Sequence, residues 1–318
     1  MGTPEFAIPV LNLLIGRYDV VAVVTQPDKP KGRGNKVTAS PIKELAVKSG
    51  IPVLQPDKVR TPEFETELAG YNADLFVTAA YGKILPENIL KLPKSGCINV
   101  HASILPSYRG AAPLWWVLIN GEKKAGVTTM MTDVGMDTGD ILLKRIVDID
   151  DDMNMGQLHD ILSEEGAIIL AETLDKLENG TLVRIPQDNS LASNSPMITK
   201  DQGKIDWNKS SREIHNLVRG TNPWPIAFTF LENEKLKIWK TSIVNEDSVD
   251  DAPGTILRVS NDGIVVATGV GIIKIIELQG ESSRKMAIGE YINGHKINVG
   301  SILRCNPDHT LELGATIK

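Results

Sequence analysis

Short β-branched runs alternate with helical stretches through the first half of the chain, and this alternation leaves few folds open. Val20-Val21-Ala22-Val23-Val24, Leu75 to Ala80, Ile98 to Ala102 and Val127 to Met131 are brief and largely apolar. Runs of this kind suit strands buried on both faces, as in a parallel sheet. Helical patterns lie between them. Thr3-Pro4-Glu5 reads as a helix start, with Thr3 as N-cap, Pro4 at the first position and Glu5 near the positive dipole end. Phe6, Val10, Leu11 and Leu14 then form an apolar stripe, and Pro41 to Lys48 and Met155 to Leu177 also read as helical. The expectation is an α/β domain with a parallel sheet covered on both faces.

The pattern changes near residue 180. Asn179 to Pro196 is rich in small and polar residues and reads as a linker. Beyond Ile205-Asp206-Trp207, a short helix from Arg212 to Arg219 runs into Asn222-Pro223-Trp224-Pro225, which must break it. Short strands follow at Leu236 to Trp239, Thr255 to Val259, Gly263 to Thr268 and Ile272 to Leu278, separated by glycine turns as in a small β-barrel. The chain has 318 residues, enough for two domains, and 42% hydrophobic residues, which suits a folded globular protein. No apolar stretch is long enough to span a bilayer, and no basic segment followed by an apolar core marks a secretory signal. Cys97 and Cys305 lie far apart, with no disulfide framework or metal knuckle, so a reducing cytoplasm is expected and no metal is implied. The formal net charge of −6 argues against general nucleic-acid affinity but leaves room for a local basic patch.

The chemistry concentrates at one strand end. In Cys97-Ile98-Asn99-Val100-His101-Ala102-Ser103-Ile104-Leu105-Pro106, Asn99 and His101 are two residues apart and project from the same face of an extended strand. An amide donor beside an imidazole is costly to bury without partners, and strand ends in α/β sheets are where ligands bind. The loop Asp133-Val134-Gly135-Met136-Asp137-Thr138-Gly139-Asp140 could return a carboxylate to the imidazole, and spacing alone does not choose among its three aspartates.

The stretch Asn99 to Pro113, with Gly2-Thr3-Pro4-Glu5-Phe6-Ala7, Thr25-Gln26-Pro27-Asp28, Asp133 to Asp140 and Asn222-Pro223-Trp224-Pro225, resembles the methionyl-tRNA formyltransferases. These belong to the wider 10-formyltetrahydrofolate-dependent transferases. The resemblance implies a Rossmann-like formyltransferase domain over residues 1–180, a linker over 181–204, an OB-like β-barrel for tRNA over 205–304 and a tail over 305–318. It implies transfer of a formyl group from 10-formyltetrahydrofolate to the α-amine of initiator methionyl-tRNA. It selects Asp137 to orient His101, with Asn99 as oxyanion donor. Asp133 and Asp140 are then expected to serve turns or caps.

The same resemblance places folate against Ser103, Ile104, Leu105 and Pro106 and against the loop Tyr81, Gly82, Lys83, Ile84 and Leu85. It assigns tRNA contact to the basic segment Lys29, Lys31, Arg33, Lys36 and Lys43, which has no acidic residue between its ends. Trp207, Trp224 and Trp239 are expected in the core rather than as stacking platforms. Family members usually carry a short apolar strand before Gly-Thr-Pro; here Met1 directly precedes Gly2, so an opened sheet is expected at that position. The alternatives are a formyltetrahydrofolate hydrolase, a small-amine formyltransferase and a non-catalytic RNA-binding protein on the same scaffold. A monomer without a membrane partner is expected.

Overall fold

The computed structural model describes residues 1–31 and 36–307. The chain forms two compact units: residues 1–114 with 123–149 and 157–197, and residues 115–122 with 150–156 and 198 onward.

The first unit is built on a four-stranded sheet in the order Phe76–Ala79, Cys97–His101, Lys124–Met131, Ile141–Asp148. Phe76–Ala79 and Cys97–His101 pair in parallel, as the apolar runs predict, with Thr78 opposite Asn99. The expected parallel strand at Val127–Met131 instead belongs to Lys124–Met131, which runs antiparallel to Cys97–His101 and to Ile141–Asp148. The connection between Met131 and Ile141 is too short for a parallel crossover, which takes roughly a dozen residues or more, so a hairpin is the available solution. The long helix Met155–Glu178 lies in the sequence where periodicity puts it, and Ser163 Oγ on it donates to Phe6 O at 2.9 Å.

Thr3 does not cap the first helix. A 3-10 turn at Glu5–Ala7 leads into Ile8–Arg17 behind Pro4, without a side-chain cap. Thr3 Oγ1 donates instead to Tyr81 O at 3.1 Å. The helix Pro41–Lys48 is capped as its sequence suggests, with Ser40 Oγ accepting from Lys43 N.

A parallel pair, Val23–Val24 with Val53–Leu54, stands beside the sheet. Met1 and Gly2 bridge the two: Gly2 N donates to Val24 O and Ala79 N donates to Met1 O, each at 3.0 Å. Beyond them lies a cavity of about 630 Å³ walled by Val20–Val24 on one side and by Leu75–Val77 on the other. Val10, Leu11, Leu14, Ile42 and Leu68 line it with apolar surface.

The Met1 ammonium donates to Val77 O at 2.6 Å, and burial lowers its pKa from 8.0 to about 6.

In the second unit the sheet is antiparallel, seven-stranded and curled. Its order is Ile256–Ser260, Gly263–Ala267, Ile272–Gln279, Glu234–Asn245, Ala227–Leu231, Leu303–Arg304, with Met286–Ala287 against Ile272–Gln279. Register shifts along Glu234–Asn245 bend it, as bulges do. Ile214 and Val218, on the helix Ser211–Gly220, pack into a core with Ile238, Ile273 and Leu278. A capping box of Ser210 and Glu213 starts that helix. Trp207 is buried and donates to Thr229 Oγ1 at 2.9 Å, as a core residue should. Trp224, also expected in the core, is 46% exposed. Trp239 is half-buried and donates to Gln279 Oε1. No helix among the described residues is long and apolar enough to cross a membrane.

Candidate functional site

Asn99 and His101 face the same side of Cys97–His101, as the two-residue period requires. The parallel register sets Thr78 against Asn99, and Thr78 Oγ1 donates to Asn99 Oδ1 at 2.8 Å. In this arrangement the carboxamide oxygen is engaged and the NH2 is the end left to donate. His101 is buried, with Nε2 3.0 Å from Tyr108 O. A carbonyl only accepts, so Nε2 carries the proton in this contact. Nδ1 lies 3.6 Å from Asp137 Oδ2, within ion-pair reach but beyond a hydrogen bond. The imidazole is therefore gripped at one nitrogen and loosely opposed at the other.

Asp137 reaches this position from a tight loop. Its φ is +55°, in the left-handed region. Gly139 matters for space: a Cβ there would stand 1.9 Å from Met131 O. Asp133 forms the turn expected of it, Oδ1 accepting from Gly135 N at 3.0 Å and Thr138 Oγ1 at 2.7 Å. Asp137 Oδ2 accepts from Gly110 N at 2.8 Å. Residues 108–110 therefore touch both partners, with the carbonyl of Tyr108 on the ring and the amide of Gly110 on the carboxylate.

That short segment is itself held by residues 187–195. Arg109 N donates to Ser193 O at 2.8 Å, Ala111 N to Ser195 O at 3.0 Å, and Tyr108 N to Ser193 Oγ at 2.9 Å. The pair Arg109–Gly110 with Asn194–Ser195 forms a parallel bridge. The Arg109 guanidinium is buried and donates to Gln187 Oε1 and Asn189 Oδ1. None of these contacts is visible to local sequence reading. Thr78 could have been found by pairing the two predicted strands; Gln187 and Asn189 lie in a segment whose composition reads only as a connector.

The residues tied to folate by resemblance form two turns. Ser103 Oγ donates to Ser107 O at 2.7 Å, and Thr128 Oγ1 donates to Ser103 O and accepts from Leu105 N. Leu105 is fully buried, and a cis peptide bond joins it to Pro106, while Ile104 is half-buried. In the other turn Tyr81 and Leu85 belong to the core, Gly82 has φ +77°, and Ile84 is 53% exposed. Burial raises the Tyr81 phenol to about 12. Lys83 Nζ donates to the carbonyls of Pro56 and Asp57 at 2.7 and 2.8 Å.

In the basic segment, Lys29–Lys31 and Lys36–Thr38 pair as an antiparallel hairpin. Arg33 lies outside the described residues. Lys29 Nζ donates to Gln26 Oε1, and Lys43 Nζ donates to Asp28 Oδ2 at 2.6 Å. Lys43 and then Gln55 hold the Asp28 carboxyl below its ordinary range. Part of the positive charge is thus met by an aspartate just outside the acid-free window.

Comparison with known proteins gives the family. The formyl transferase family matches residues 10–174, and the formyl transferase C-terminal domain matches residues 197–296. A methionyl-tRNA formyltransferase of Acetivibrio thermocellus is 58% identical over 304 residues, covering 95% of this chain and 98% of the relative. One of Ruminiclostridium cellulolyticum is 56% identical over 305 residues, with 95% and 98% covered. Among solved structures, a sugar 3N-formyl transferase in the presence of dTDP and 5-N-formyl-THF shares the fold. Its TM-score is 0.65 at 20% identity, over 89% of this chain and 97% of that one. Matched through both domains and across nearly its whole length, the chain belongs to the formyl transferase family, in the branch of the methionyl-tRNA formyltransferases.

Proposed function

We propose that this protein transfers the formyl group of 10-formyltetrahydrofolate to the α-amine of methionyl initiator tRNA. The observation that carries the reading is the convergence of His101 and Asp137, 3.6 Å apart, beside an Asn99 amide whose oxygen is already engaged by Thr78. In the reaction the amine nitrogen forms a bond to the formyl carbon and an oxyanion develops. Collapse breaks the bond from that carbon to folate N10, which gains the proton the amine loses. The Asn99 NH2 is the donor for the oxyanion. His101 Nε2 is committed to Tyr108 O, so the ring meets the reacting atoms through its looser Nδ1 side, where Asp137 stabilises a proton that arrives.

The turns at Ser103–Pro106 and Tyr81–Leu85 are the proposed folate contacts. The paired segments carrying Lys29, Lys31 and Lys36, together with Arg33 and Lys43 of the same stretch of sequence, are the proposed phosphate contact. The reading takes the enzyme as a cytoplasmic monomer, a setting that the free thiols of Cys97 and Cys305 suit.

The test is incubation with 10-formyltetrahydrofolate and charged initiator tRNA, scored as formylmethionyl-tRNA formed. The expected result is acceptor-dependent transfer that His101→Ala lowers by at least a hundredfold. Formate release without acceptor would replace the reading by a hydrolase. Transfer to a small amine in preference to charged tRNA would replace it by a small-amine formyltransferase.

A further inference from the structure

We propose that Gln187 is a positioning residue that sets the Asp137 carboxylate against His101. The proposal rests on the assignment of Asn99, His101 and Asp137 as the reacting site. Gln187 Nε2 donates to Asp137 O at 2.9 Å and to Gly139 O at 2.7 Å. Its Oε1 accepts from Arg109 Nε at 3.1 Å and from Arg109 Nη2 at 2.7 Å. Both protons and both lone pairs of the carboxamide are therefore in use. A flipped amide would set its oxygen against two carbonyls and its NH2 against a guanidinium, so the orientation is determined.

These four bonds close a ring. Arg109 lies between the carbonyl that holds His101 and the amide that holds Asp137 Oδ2. Gln187 joins the Arg109 side chain to the backbone of Asp137 itself. Asp137 occupies left-handed backbone space, and its bonds from Gln187 Nε2 and Gly110 N hold it there. The two carbonyls gripped by Gln187 are that of Asp137 and that of Gly139, so they bracket the following peptide. Ile185, two residues earlier, exchanges both backbone hydrogen bonds with Ile141, just past the loop, at 2.8 and 2.9 Å. Gln187 is thus delivered to the loop by a strand-like bridge rather than by a free tether.

Gln187→Glu separates the two ends of the clamp. The variant keeps an acceptor for Arg109 but turns an oxygen toward the carbonyls of Asp137 and Gly139. Its kcat for formyl transfer to methionyl-tRNA should fall about 10–100-fold, the scale of a small misplacement of a reacting group. KM for either substrate should stay within about twofold, with an unchanged melting temperature. Gln187→Met, which loses both ends, should show the same kcat loss. Wild-type kcat in Gln187→Glu while Asp137→Asn is inactive would overturn the clamp and leave the site reading intact. Wild-type kcat in Asp137→Asn would overturn the site reading instead. A rise in KM at constant kcat, or a loss of kcat that tracks a falling melting temperature in both Gln187 variants, would also overturn the proposal.

Discussion

Replacing Asn99 with alanine should lower kcat about 10²–10³-fold, the scale measured when one oxyanion donor is removed. Its carboxamide is oriented before substrate arrives, because Thr78 Oγ1 already donates to Oδ1 at 2.8 Å. No reorganisation is needed when the negative charge develops, and this is what makes such a donor effective. The residue sits mid-strand between Thr78 and Met130 partners, so the backbone ladder survives the truncation. KM should change little, since the bond is made to an oxygen that becomes anionic only in the transition state. Steady-state rates against both substrates, with a melting curve as the control for folding, check this. A loss of less than tenfold in a folded variant would remove Asn99 from the oxyanion role.

The second large effect concerns the imidazole and its carboxylate together. His101→Ala and Asp137→Asn should each lower kcat by about 10²–10⁴, and the double variant should be no worse than the poorer single. The prediction follows from the proposed pairing of the two side chains. Asp137 Oδ2 is turned by Gly110 N toward Nδ1, and His101 Nε2 is fixed by Tyr108 O. With the ring gone, the carboxylate has nothing to orient. With the carboxylate neutralised, a proton on Nδ1 loses its partner at 3.6 Å. Multiplicative losses in the double variant would show that the two residues contribute separately, and would dissolve the pair.

The placement of Asn99 and His101 followed from period two on one strand, a rule that needs no tertiary information. The turn role of Asp133 was equally accessible, because an aspartate reaches its own loop amides whatever the fold around it. What escaped were contacts set by chain segments far apart. Thr78 meets Asn99 only through strand register. Lys43 is neutralised by Asp28, which lies one residue outside the window used to judge the segment basic. The antiparallel course of Lys124–Met131 is decided by how the chain returns, not by the residues in the strand, which are as apolar as a parallel strand requires. Trp224 departs likewise: an aromatic side chain suits the core, yet this one is 46% exposed and meets the Trp115 ring edge-on.

The segment from 175 to 196 falls between the two matched family domains, yet it contributes Gln187, Asn189, Ser193 and Ser195 to the support of residues 108–112. Chimaeras that join the first unit to a foreign second unit should therefore splice after Ser195. A junction near residue 180 would discard part of the scaffolding on which the aspartate loop rests and leave the donor half folded but miscast.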